Sequence, residues 1–160
     1  APEQRVDLSR LTRSLTDSFA RNHEPPELAF ICDVEANISA WGSDILFETV
    51  IENVLENAVG YSPPGGTIAV ALHRDGKMAR LTIADQGPGV PPGDLDRIFE
   101  RYFTDRPALS PAANCDDAPA HYGIGLWIVR RNLEALGGSA VACNLAESGL
   151  EMTLLIPLAT

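Results

Sequence analysis

Apolar and polar positions along the chain divide it into a short series of elements. Phe47, Val50, Ile51, Val54, Leu55 and Ala58 recur at the i, i+3, i+4, i+7, i+8, i+11 spacing of one helix face. Gly42 and Ser43 stand ahead of that run and Pro63-Pro64-Gly65-Gly66 behind it, so a helix docked on a core is expected between them. Upstream, a short extended Val6-Asp7-Leu8 leads into a helix with Ser9 as N-cap and Leu11, Leu15 and Phe19 facing inward, ended by Pro25 and Pro26. Residues 28–34 read as a strand, followed by a polar turn up to Trp41. Residues 67–74 and 78–84 alternate well enough to pair as a hairpin across Asp75-Gly76-Lys77. A helix over 123–136 and strands over 139–145 and 150–158 complete the series. Strands that pair mostly antiparallel, with three helices laid on one face, make an α+β two-layer sandwich with a mixed sheet. No internal repeat is visible.

Composition narrows the class. The 160 residues suit a single domain able to bury a core without staples, and 45% hydrophobic with 21% charged residues is ordinary globular material. No apolar run approaches the roughly 20 residues of a membrane span. The 12 basic residues against 22 acidic ones leave a net charge of −10, and Lys77 is the sole lysine, which argues against nucleic acid as a partner. An acidic protein that binds an anionic nucleotide must rely on local devices: backbone N–H groups, helix N-termini and a metal ion. Cys32, Cys115 and Cys143 have no metal-ligand spacing and read as reduced and structural.

Several segments carry candidate chemistry. Asn53 and Asn57 fall one turn apart on one flank of the central stripe, roughly 90° to 130° from its centre at about 100° per residue. Asparagine prefers caps and turns to helix interiors, so the pair needs a reason. Either the amides bond each other or a neighbouring loop, or they face a ligand, an amide oxygen being a hard acceptor suited to Mg²⁺. Glu52 and Glu56 lie further round and read as solvated charges. Asp85-Gln86-Gly87-Pro88-Gly89 comes after an apolar strand: a carboxylate at a strand end accepts from an amine, and glycines allow backbone to approach a flat ring. Ile98-Phe99-Glu100-Arg101-Tyr102-Phe103 is an amphipathic helix end whose aromatics anchor the loop behind it. Gly123-Ile124-Gly125-Leu126 opens the last helix and offers N–H groups and a positive dipole end to phosphates. Between these lies the Pro-, Ala- and Asp-rich stretch 104–120, either a surface insertion or a lid over a site.

The order of these segments is specific. Asn-x-x-x-Asn-Ala, then Asp-x-Gly-x-Gly, then Phe-Glu-Arg with aromatics, then a loop, then Gly-x-Gly-Leu into a helix ending Gly137-Gly138 resembles the ATP-binding catalytic domain of sensor histidine kinases. The resemblance covers nearly the whole chain and implies the Bergerat fold shared with gyrase and mismatch-repair ATPases. It implies that Asn57 binds Mg²⁺ on the triphosphate of ATP, that Asn53 lies beside the γ-phosphate and that Tyr61 packs on the nucleotide. It further implies that Asp85 takes the adenine amino hydrogen, that Gly87 and Gly89 pass under the base, and that Gly123, Ile124, Gly125 and Leu126 close over the phosphates. Thr153 matches a threonine the family places near the adenine and Asp85, and 104–120 becomes the ATP lid.

The chain departs from the family at Gly60 and Thr104, where basic residues are usual, and at His121, where a glycine is usual; Arg101 or Arg106 would supply positive charge instead. His23-Glu24 is followed at once by Pro25-Pro26, which cannot continue an acceptor helix, so none of His23, His73 and His121 is expected to accept the phosphoryl group. The expected function is transfer of the γ-phosphoryl group to a histidine on a separate dimerisation domain absent from this chain. The chain would be a monomeric piece of a homodimeric kinase tethered to the bacterial inner membrane and signalling to a response regulator. The other readings are a hydrolytic ATPase of the same fold, a nucleotide-binding or docking module without transfer activity, and an anti-sigma-factor type of serine kinase.

Overall fold

The computed structural model describes residues 4–23, 27–100 and 125–159. In chain order its elements are β1 (Gln4–Asp7), α1 (Leu8–Asn22), β2 (Leu28–Val34), β3 (Ser39–Gly42), α2 (Asp44–Tyr61), β4 (Gly66–Asp75), β5 (Met78–Ala84), α3 (Gly125–Ala135), β6 (Ser139–Asn144) and β7 (Leu150–Pro157). Two one-turn 3₁₀ helices, Pro92–Asp94 and Arg97–Phe99, come after β5. The main sheet has the order β2-β4-β5-β7-β6, parallel only between β2 and β4, and β1 pairs with β3 in a separate antiparallel ribbon. This is the mixed, mostly antiparallel sheet of an α+β sandwich.

Alternation along the central strands explains the layering. Ile68, Val70 and Leu72 of β4, Leu81 and Ile83 of β5, and Leu150, Met152, Leu154 and Ile156 of β7 are buried on the inner face. Against them α2 lays Phe47, Val50, Ile51, Val54, Leu55 and Ala58, all six positions of the apolar stripe. Ser43 caps α2, its side chain accepting from Leu46 N at 3.1 Å. Val129 and Leu133 of α3 join the same core. The β4–β5 hairpin closes at Gly76, whose φ of +62° suits glycine, with Asp75 opposite Met78.

Three local expectations are corrected. Asp7, not Ser9, caps α1 by accepting from Arg10 N at 3.0 Å. The helix starts earlier, and buried Ser9 works in the tertiary structure, its Oγ donating to Glu35 O (2.6 Å) and accepting from Ile38 N (2.9 Å). Leu11, Leu15 and Phe19 do face inward, partly buried against the core, beside the fully buried Leu8, Thr12 and Thr16. The segment before Trp41 is not all turn: Ser39–Gly42 is a strand, because Ile38, Ala40 and Gly42 alternate inward with Ser39 and Trp41 facing out. Finally, Cys32 and Cys143 are free and exposed, so neither fills the core; Cys115 lies outside the described residues.

Candidate functional site

Strand β5 delivers its last inward position to the site. Leu81, Ile83 and Asp85 share the inner face, and Asp85 is only 3% exposed. Its main chain extends the ladder one step past the strand, with Asp85 N donating to Leu150 O at 3.0 Å. Its carboxylate Oδ1 accepts from Gly87 N (2.9 Å) and Leu150 N (3.3 Å), so two backbone donors hold the group at the rim of the core. The loop beyond Asp85 is gripped from several directions. Gln86 Oε1 accepts from Thr67 N at 2.9 Å. Ser148 Oγ lies 2.8 Å from Gly87 O and 3.1 Å from Gln86 O as their donor. Asn144 bonds both main-chain groups of Val90, its Nδ2 donating to Val90 O (2.7 Å) and its Oδ1 accepting from Val90 N (3.0 Å). Gly89, at φ +73°, passes so near this amide that a Cβ there would lie 2.6 Å from Asn144 Oδ1.

On α2, Asn53 and Asn57 are both half-buried and one turn apart. Among the described residues Asn53 bonds its own helix, Nδ2 donating to Thr49 O at 2.7 Å. Tyr61 is the last residue of α2 and is half-buried. Glu52 and Glu56 are half-buried too, a correction to their reading as fully solvated. Burial first, then the like charges of Glu48 and Glu56, raise the Glu52 carboxyl above its ordinary pKa.

Helix α3 packs against both α2 and the Arg97–Phe99 turn. Gly125 is buried at its first turn and Leu126 packs on the core. Arg130 ties the region together: its guanidinium donates to Ala140 O from Nε (3.2 Å) and NH2 (2.8 Å), pairs with Asp96 at 2.6 Å, and sits 4.0 Å over the centre of the buried Phe99 ring. Phe99 is thus held in place; Tyr102, Phe103 and the loop that the aromatics were expected to anchor lie outside the described residues.

The structure brings Asp85, Gly87 and Gly89 into one braced loop and sets Asn53 and Asn57 on one flank of α2. It does not bring Thr153 to Asp85. Thr153 pairs with Thr82 and Val141, and Thr82 lies between the inward Leu81 and Ile83, so Thr153 sits on the outer face of the sheet. The β7 residue that reaches Asp85 is Leu150, through its backbone. Arg101, Gly123, Ile124, His121, Thr104, Arg106 and the 104–120 stretch lie outside the described residues. Sequence reasoning missed Asn144, Ser148, Gly149 and Arg130. Ser148-Gly149 carries the composition of an ordinary turn, and Asn144 and Arg130 carry no local signal, their partners being distant in sequence.

With this geometry in view, comparison with known proteins is decisive for the family. Residues 42–160 match the family of histidine kinase-, DNA gyrase B- and HSP90-like ATPases, and the chain belongs to it. The sensor protein ChvG of Agrobacterium fabrum is 37% identical over 167 residues, covering 96% of this chain and 27% of that protein. The sensor-like histidine kinase SenX3 of Mycobacterium tuberculosis is 30% identical over 125 residues, covering 78% of this chain and 29% of that protein. The chain therefore spans a little over a quarter of the length of these relatives. Among solved structures, the mycobacterial sensor histidine kinase MprB superposes with a TM-score of 0.81 at 27% identity, over 98% of this chain and 97% of that one.

Proposed function

We propose that this chain is the ATP- and Mg²⁺-binding catalytic domain of a two-component sensor histidine kinase. It transfers the γ-phosphoryl group to a histidine on a dimerisation domain elsewhere in the full-length protein, which then serves a response regulator. The observation that carries the reading is Asp85: a buried carboxylate, fixed by two backbone donors at a strand end beside Gly87 and Gly89, in a member of an ATPase family. Such a group accepts the exocyclic amine of adenine, while a loop without side chains at Gly87 and Gly89 lets backbone lie against the ring.

The remaining roles rest on the chain's own donors. Asn57 is assigned to Mg²⁺, and the residue chemistry fits that ion. Among the described residues no cluster of three His, Cys, Asp or Glu could hold a metal unaided. Asn57 would hold such an ion through one amide oxygen, and phosphates and water would complete its ligands, as suits Mg²⁺. When bound, the ion neutralises charge developing on the phosphates. Asn53 is assigned beside the γ-phosphate and Arg101 to charge stabilisation. Tyr61 is assigned to packing on the nucleotide, and Gly123, Ile124, Gly125 and Leu126 to enclosing the phosphates, with 104–120 as lid. Phosphoryl transfer asks mainly for positioning and electrostatics, which such a set supplies. Asn53 favours transfer over hydrolysis, because an amide cannot take a proton from water. The full-length kinase is taken as a membrane-tethered homodimer; no helix among the described residues is long and apolar enough to cross a membrane.

Calorimetric titration of a non-hydrolysable ATP analogue, with and without Mg²⁺, tests the reading. Wild type should bind more tightly with Mg²⁺, and Asp85→Asn, which exchanges a charged acceptor for a neutral amide, should lose about ten- to hundredfold in affinity. A wild-type chain that binds no adenine nucleotide, or an Asp85→Asn variant that binds as well as wild type, would overturn it.

A further inference from the structure

Besides the bond from Thr67 N of β4 to Gln86, the contacts that hold the Asp85–Val90 loop come from the end of β6 and its connection to β7. We infer that Asn144 is a positioning residue for base recognition, acting through the loop and not by touching nucleotide; this rests on the adenine site proposed above. Its two bonds to Val90 leave no choice of amide orientation, since Val90 N must meet the oxygen and Val90 O the nitrogen. The amide thus imitates the edge of a neighbouring strand and fixes Val90, next to Gly89, where an added Cβ would lie 2.6 Å from its Oδ1. Ser148 holds Gly87 O and Leu150 N holds Asp85 Oδ1 at the loop's other end. Both ends of the loop are therefore pinned by the same connection, and the carboxylate and the glycines are kept at one mutual geometry before any base arrives. Preorganisation of this kind favours the one base whose donors match that geometry.

The test compares adenine and guanine forms of the non-hydrolysable triphosphate on wild type, Asp85→Asn, Asn144→Ala and Asn144→Asp. Circular dichroism and thermal melting verify that each variant is folded. Asn144→Ala removes both bonds and should weaken adenine binding roughly tenfold, leave the weak guanine binding unchanged, and so lower the discrimination by the same factor. Asn144→Asp keeps the acceptor but sets a carboxylate against Val90 O. It should show the same loss at pH 7.5 and regain affinity relative to wild type as the pH falls toward 4.5 and its carboxyl takes up a proton able to bond Val90 O. A merely structural role would weaken both bases equally, and a bond to Val90 O that does not matter for binding would give Asn144→Asp no recovery in acid. Either result overturns the inference, as does unchanged adenine binding in folded variants. If Asp85→Asn abolishes binding while Asn144→Ala has no effect, this inference falls and the adenine site stands; a wild type that binds neither base removes both.

Discussion

A Cβ added at Gly149 would lie 1.9 Å from the Asp85 carbonyl oxygen, and the residue's φ is +117°. Both facts forbid a side chain, and the neighbour is backbone that also carries the Asp85 carboxylate. Gly149→Ala should therefore cost about 3 kcal/mol or more, from positive-φ strain plus displacement of the strand end. For a chain of this size that is a fall in melting temperature on the order of 6 to 12 °C. Gly60 is the opposite case: it is an exposed position inside α2, with nothing within 4 Å of an added Cβ. Gly60→Ala should stabilise by roughly 0.5 to 1 kcal/mol, since alanine loses less backbone entropy in a helix. Thermal melts of the two variants moving the same way would contradict one of the two assignments, a shared fall that of Gly60 and a shared rise that of Gly149. The contrast marks what was legible. Asp85, Gly87 and Gly89 stand in a local pattern at a strand end, so their grouping was readable from order alone. Gly149 looks like any turn glycine; its φ of +117° and the through-space approach of Asp85, distant in sequence, together make it irreplaceable. Thr153 failed for a related reason: which face of a strand a residue occupies depends on register against β5, which pattern matching does not determine.

Helix α2 was legible almost to its ends, because a long amphipathic run with Ser43 before it and prolines after it leaves few alternatives. Strand β5 was readable to the residue, 78–84, for the same reason. Strand β3 was not: four residues containing serine and glycine give too little alternation, and its pairing with β1 is what makes it a strand. The wheel for α2 also misjudged its acidic face, since neighbouring groups, not helix geometry, decide how much water reaches Glu52. Glu48, Glu52 and Glu56 repeat every four residues, and burial together with its two like-charged neighbours raises the Glu52 carboxyl. A carboxyl raised in the folded state contributes stability below its unfolded value and loses it as pH rises through the folded value, so at pH 7 ionised Glu52 is a cost. Glu52→Gln should stabilise the chain at pH 7 by a few tenths of a kcal/mol, about 1 °C, with the gain disappearing below about pH 4. Melts at pH 7 and pH 4 test this; a gain that persists unchanged in acid would mean that Glu52 ionisation is not its source. The same variant bears on chemistry, because an abolished ATPase activity in Glu52→Gln would point to a glutamate base and to hydrolysis as the reaction.

Over the molecule as a whole, acid acts in two directions. The net charge of −10 makes the folded chain self-repelling at pH 7, and protonation relieves that along with the cost at Glu52. Glu35 works the other way. Bonding from Arg74 N is the largest influence on its carboxyl, joined by the Arg74 guanidinium and by His73, and the result is a pKa below the ordinary value. Arg74 N lies 3.2 Å from Glu35 Oε1, and the guanidinium pairs with Oε2 and donates to Asn37 O, while Glu35 N bonds Leu72 O at 2.8 Å. These contacts fasten the segment between β2 and β3 onto β4, beside the Ser9 bonds that fasten it to α1, and so join the ribbon, the first helix and the sheet. A depressed carboxyl contributes stability that is full above its unfolded value and is lost as pH falls through its folded value. Glu35→Gln should therefore melt below wild type at pH 7, and the two curves should converge below about pH 4, where wild type has lost the charge as well. The opposite signs make the pair diagnostic: between pH 7 and pH 4 the Glu52→Gln curve approaches wild type from above and the Glu35→Gln curve from below. Parallel curves for Glu35→Gln across that range would show that ionisation of Glu35 in its Arg74 pairing does not couple to folding, leaving the Ser9 bonds, the backbone bonds and the Arg74 bond to Asn37 O to hold the segment.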